Sequence, residues 1–189
     1  CGSTIGCYRH NSLIPNVKAR FPTTTASPAI DSGGPVSLTN VATGVYRATG
    51  NIEINASTIQ AGKWIVINAP NRTVTIKGDI RYAGGPFTSA EQIPQVIIIA
   101  NNITIEAGVA NVDSWLIAQR TSSTATSGGV IRTCEVAAGD ITASTCGTKL
   151  TVNGPVMAHR LLMLRTAGAG PGPAAGEPAE VFNFRPDAY

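Results

Sequence analysis

The chain has 189 residues, of which 43% are hydrophobic, 13% charged and 5% aromatic, with a formal net charge of +3. This length suits one domain with appendages, and so little charge excludes a highly charged disordered polymer. No basic block accompanies the small net charge, which excludes a nucleic-acid surface, and 21 Thr with 12 Ser and abundant Gly and Pro point away from a helical bundle.

The first residue is Cys1, without Met and without a charged-then-apolar leader, and reads as a processed start. Residues 1–48 read as an irregular N-terminal segment that includes a Pro/Thr/Gly-rich linker at 21–35. Four cysteines, Cys1, Cys7, Cys134 and Cys146, allow three pairings, and local closure favours Cys1–Cys7 and Cys134–Cys146. Spacings of six and twelve, with only His10 and His159 nearby in type, do not match a zinc site. Disulfides imply an oxidising, extracellular or cell-surface location. The competing reading makes Cys1 a lipid-bearing cysteine and leaves Cys7 without that partner.

From residue 49 to 165, short strand-like runs recur in pairs. First members are 51–55 (NIEIN), 73–78 (TVTIKG), 102–108 (NITIEAG) and 149–154 (KLTVNG). Second members are 64–68 (WIVIN), 96–100 (VIIIA), 115–118 (WLIA) and 161–165 (LLMLR). With insertions at 84–94 and around the Cys134–Cys146 loop set aside, the unit is about 20 residues, in the range of solenoid repeats. First members alternate, as at Ile52 and Ile54, Val74 and Ile76, Ile103 and Ile105, and Leu150 and Val152. Period two places these on one buried face. A small residue follows each run (Ala56, Gly78, Ala107, Gly154), as a tight corner requires. Second members are continuously apolar, the pattern of strands covered on both faces, here by the terminal segments or a neighbouring subunit.

The fold expected from this pattern is all-β, a parallel β-solenoid (β-helix) of about four coils. The alternative is a β-sandwich, which calls for antiparallel hairpins with two-residue turns. In the solenoid register, Glu53, Thr75, Thr104 and Thr151 form one outward ladder, and Lys77 pairs with Glu106 beside it. Trp64 and Trp115 read as core packing at matching positions, with an exposed carbohydrate platform as the rival.

Chemistry-bearing motifs are sparse. The chain contains no G-x-S-x-G, P-loop or dinucleotide fingerprint. Its 11 carboxylates do not cluster in the expected columns, with Asp79, Glu91, Asp113, Glu135 and Asp140 assigned to separate corners or loops. No catalytic residue, metal ligand or cofactor is therefore assigned, and an enzyme acting on polysaccharide is the least favoured reading. The longest apolar run, residues 96–100, is too short for a membrane helix, so no transmembrane segment is expected.

Residues 166–189 read as a Gly/Pro hinge followed by a docking tail. Val181, Phe182, Phe184 and Tyr189 would expose much apolar surface if free, and dock on their own chain or on another subunit. The segment LTVNGPVMAHRLLMLRTAGAGPG with PAEVFNFRPDAY resembles the C-terminal region of uncharacterised surface proteins of Saccharibacteria-type (candidate phyla radiation) bacteria. The repeat resembles parallel β-helix surface proteins more generally, and together the resemblance spans about residues 50–189. It implies an exported structural or adhesive protein. The expected function is a non-enzymatic extracellular structural protein, a subunit of a surface filament or layer that self-associates through its ends and tail. The alternative is an adhesin that binds cell-surface glycan or protein.

Overall fold

A computed structural model describes residues 27–122, 124–136, 139–168 and 176–184. A short helix α1 (Pro28–Asp31) precedes strands β1 (Gly34–Val36) and β2 (Gly44–Arg47), with a 3-10 turn at Leu38–Asn40 between them. There follow β3 (Ile52–Ile54), β4 (Ser57–Ile59), the long β5 (Trp64–Ile76), β6 (Ile80–Tyr82), the long β7 (Gln95–Glu106) and β8 (Asn111–Val112). The remainder is β9 (Trp115–Ala118), β10 (Val130–Glu135), β11 (Leu150–Asn153), β12 (Val156–Ala158), β13 (Arg160–Leu162) and β14 (Glu180–Asn183). The regular structure of the described residues is therefore almost wholly β, as expected.

Every strand pairing among the described residues is parallel. The antiparallel hairpins of the rival sandwich are not found among them. Three ribbons of stacked strands result. The first contains β2, residues 64–69 of β5, residues 95–100 of β7, β9 and β12. The second contains β1, β3, the later halves of β5 and β7, β10 and β13. The third contains β4, β6, β8, β11 and β14. In chain order the backbone visits first, second and third ribbon in the same cycle, five times from β2 to β14. β5 and β7 run continuously from the first ribbon into the second. In β5 the corner is a register shift between Ala69 and Thr73, with Asn71 at φ 63°. Asparagine tolerates that left-handed conformation better than most side chains.

Side chains of one column stack on the same column of the next pass. Tyr46, Ile67, Ile98 and Leu116 are in register in the first ribbon, and Ile52, Val74, Ile103 and Ile131 in the second. Ile80, Val112 and Val152 do the same in the third. All are buried in one core cluster. Tight corners stack too, and a Cβ at Gly78 would lie 2.7 Å from the Ala56 Cα.

The expected burial of the first ribbon on both faces is observed. Val45, Val66, Ile99 and Ile117 form a second buried cluster on its outward side, with Trp64, Ile97 and Met157 packed against it. Trp64 and Trp115 do not occupy matching positions, because Trp64 lies opposite Gln95 and Trp115 opposite Ile97. Both are half-buried and neither belongs to the main core.

The expected fourth unit is corrected. The strand that follows residues 102–106 in the second ribbon is β10, so Arg132, not Thr151, lies opposite Thr104. Thr151 belongs to the third ribbon, between Asn111 and Val181. Likewise β12, rather than residues 161–165, continues the first ribbon. Residues 149–154 carry the same alternation because third-ribbon strands also bury every second side chain. Among the described residues, regular structure is present from Pro28 onward, inside the segment expected to be irregular through residue 48.

Candidate functional site

The two ends of the strand stack differ. At the first, Ile30 of α1, Val36 of β1 and Leu38 of the 3-10 turn are buried in the main core. At the second lie β12, β13 and β14, and among the described residues no strand pairs with their outer edges. Register places Leu161 over Ile131 and Phe182 over Val152. Both continue buried columns, yet both are partly exposed, and among the described residues no further pass covers them. Met163 is 64% exposed and Phe184 62%. Among the described residues, four of the five exposed large hydrophobic side chains thus lie on the last pass or just beyond it.

The tail residues occupy this end. Val181 and Phe182 lie in β14, which adds in parallel to β11 with Thr151 opposite Val181 and Val152 opposite Phe182. Docking is thus onto the protein's own third ribbon, with Phe182 and Phe184 still exposed. Asn183 Nδ2 donates to Asn153 Oδ1 at 2.8 Å, and Asn153 Nδ2 donates to Asp113 Oδ1 at 2.7 Å, forming a polar ladder up the corner. Tyr189, Cys1, Cys7 and His10 lie outside the described residues.

A buried arginine secures the last pass. Arg165 is only 7% exposed. Its guanidinium donates to the carbonyl of Glu106 at 2.8 Å and to those of Ala107, Thr133 and Thr148. Its backbone N–H donates to Glu180 Oε1 at 2.9 Å, which also accepts the Thr133 hydroxyl at 2.7 Å. Burial pulls the guanidinium below its ordinary value, and the Glu180 carboxylate opposes that shift. Nearby, Cys134 and Cys146 form the expected disulfide, and both are buried. Arg165 was invisible as a site in the sequence; its one signal is a lone charge closing the apolar run 161–164.

The outward side of the second ribbon carries the polar ladder. Glu53, Thr75 and Thr104 are in register. Lys77 Nζ lies 3.1 Å from Glu53 and 3.7 Å from Glu106, so the expected Lys77–Glu106 pair exists with a second acid beside it. The hydrogen bond and charge of Glu53, then the charge of Glu106, raise the Lys77 ammonium above its ordinary value. Such an exposed network contributes little to stability. Farther along, Thr73, Asn102, Thr104, Arg132, Glu135 and Arg160 line a groove of about 380 Å³. Glu135 lies opposite Glu106 in this ribbon rather than in an isolated loop.

Asp79, in contrast, has a structural role. Its Oδ1 accepts the N–H groups of Ala110 (2.8 Å) and Asn111 (3.0 Å), and Arg81 binds Oδ2 at 2.8 Å. Burial acts to raise this carboxyl, but the two N–H donors and Arg81 outweigh it and hold it below the usual 3.8. The folded group therefore ionises more readily than the unfolded one. Its stabilisation is complete above about pH 5 and is lost as pH falls through the lowered folded value. Asp79→Ala should cost about 1–3 kcal/mol at pH 7 by leaving two N–H groups unpaired. Urea denaturation at pH 7 and pH 3 should show that difference shrinking in acid.

Among the described residues no group of three or more His, Cys, Asp or Glu could hold a metal ion. No described helix is long and apolar enough to cross a membrane. Comparison with protein-family models, curated proteins and solved structures finds no match to this chain.

Proposed function

We propose that this chain is a parallel β-solenoid serving as a non-enzymatic, extracellular structural subunit, which self-associates through its uncovered last pass into a surface filament or layer. The supporting observation is the asymmetry of the ends. Among the described residues, one has Ile30, Val36 and Leu38 buried in the core, and the other has three strand edges with no strand paired to them and Leu161, Met163, Phe182 and Phe184 exposed around them. Open edges beside exposed apolar side chains invite strand addition and hydrophobic contact. A second copy offers complementary parts in the same chain, and contacts that do not close on themselves propagate. The repetition of first, second and third ribbon supports the solenoid. The Cys134–Cys146 disulfide supports an oxidising location, in keeping with the exported structural character that the sequence resemblance implies.

Sedimentation over a range of concentrations tests this reading. Wild-type protein should form species larger than one chain. The double variant Met163→Lys/Phe184→Lys should shift toward the monomer by at least tenfold in the concentration needed to associate. Both side chains are more than half exposed, so the fold should be retained. Equal association of the two proteins would count against the proposed contact.

A further inference from the structure

The groove on the second ribbon carries an inference independent of self-association. Its floor comes from consecutive passes. Val130 lies opposite Asn102 on one side and Arg160 on the other, and Arg132 lies opposite Thr104. Side chains two apart on a strand share a face, so Arg132 projects on the same side as Val130, diagonally across from Arg160. Both arginines are exposed, and among the described residues neither guanidinium is paired with an acid or a carbonyl. Elsewhere on this ribbon the opposite occurs, since Lys77 is held between Glu53 and Glu106. The groove therefore concentrates two unused planar donors of positive charge.

The rest of the lining narrows the ligand. Asn102 uses its Oδ1 to accept the Val130 N–H, which leaves its amide NH₂ to donate. Thr73 and Thr104 add hydroxyls, and Glu135 adds a carboxylate. A small dianion such as phosphate would gain from the arginines but be repelled by Glu135. A ligand with one carboxylate and several hydroxyls satisfies every group: guanidinium forks match a carboxylate, and Glu135 accepts hydroxyl hydrogens. The volume of about 380 Å³ lies within the range of small-ligand sites.

We infer that the Arg132–Arg160–Glu135 groove binds an acidic sugar, a uronic-acid unit of an extracellular polysaccharide, with both arginines on its carboxylate and Glu135 on its ring hydroxyls. Calorimetric titration of the full chain tests this with four probes: tri-galacturonate, neutral tri-galactose, a sulfated disaccharide and inorganic phosphate. Tri-galacturonate should bind tightest. Arg132→Gln and Arg160→Gln should each weaken it about tenfold or more, the loss of one charge-assisted contact. Thermal melts should be unchanged, because both side chains are exposed. Glu135→Gln should not tighten tri-galacturonate, whose hydroxyl hydrogens the carboxylate accepts, and should strengthen only phosphate by removing the repulsion that keeps it weak. The inference is overturned by no tri-galacturonate binding at millimolar concentration, or by binding that both arginine variants retain. It is also overturned if phosphate or the sulfated sugar binds the wild-type chain as tightly as tri-galacturonate does, which would make the groove a general anion site. Sedimentation of Arg132→Gln, which changes a residue one pass below the uncovered end, separates this from self-association, which that variant should leave intact.

Discussion

Arg165→Met is expected to lower the stability of the folded chain by about 3–5 kcal/mol, the range for removing one partner of a buried charged network. Methionine keeps much of the aliphatic stem but supplies no donor. Four carbonyls, of Glu106, Ala107, Thr133 and Thr148, would lose the guanidinium that they share. Glu180 would keep the Thr133 hydroxyl and the residue 165 N–H but lose the nearby positive charge. These groups come from the third pass, the fourth pass, the segment between Cys146 and β11, and the tail, so the loss would loosen several segments at once. Because total stabilities of single domains are about 5–15 kcal/mol, the variant should unfold at markedly lower denaturant. Arg165→Lys should recover only part of the loss, since one ammonium cannot reproduce a planar fork directed at separated carbonyls. Chemical denaturation of the three proteins gives the comparison, and a loss under 1 kcal/mol in the methionine variant would show that water replaces the guanidinium.

Opening the Cys134–Cys146 bridge is the second large effect. The bond joins residues 12 apart, and closing a loop of that size removes unfolded-chain entropy worth about 3 kcal/mol. The closed segment departs from the second ribbon at β10 and returns to the third at β11, next to the Arg165 carbonyl partners. Reduction, or the double variant Cys134→Ala/Cys146→Ala, should therefore destabilise the last two passes before the first two. Hydrogen exchange should report this as faster exchange in β10, β11 and β13, with β3 and the early part of β5 protected. Uniform acceleration along the chain would indicate one cooperative unit instead. The Arg165 and disulfide changes share neighbours, so their effects should not add.

The sequence made some elements legible and concealed others for physical reasons. Ile52 and Ile54, Val74 and Ile76, and Ile103 and Ile105 alternate cleanly because each faces the core on one side and water on the other. Their stacking, and the Lys77–Glu106 pair that it brings together, could be read directly. The continuous apolar character of residues 64–67 and 96–100 likewise reported burial on two faces. Third-ribbon strands escaped notice because β4, β6 and β8 have only two or three residues each, too short to show a period. β10 escaped because Thr133 and Cys134 are both buried, which breaks its alternation, and it lies within the long interval before residue 149. Losing β10 placed Thr151 where Arg132 belongs. The groove consequently could not be seen, since Arg132, Arg160 and Glu135 meet only in the correct register. Arg165 shows the same limit: a single charge in the sequence gives no sign of four carbonyls converging on it.

The account rests on strands piled along one axis and on copies joined at the uncovered end of that pile. Electron microscopy of the wild-type chain under oxidising conditions, at concentrations where it associates, measures both at once. The expected result is elongated particles with an axial repeat near 4.8 Å, the spacing between neighbouring strands. Single dispersed chains at every concentration, or elongated particles without that axial repeat, would contradict it.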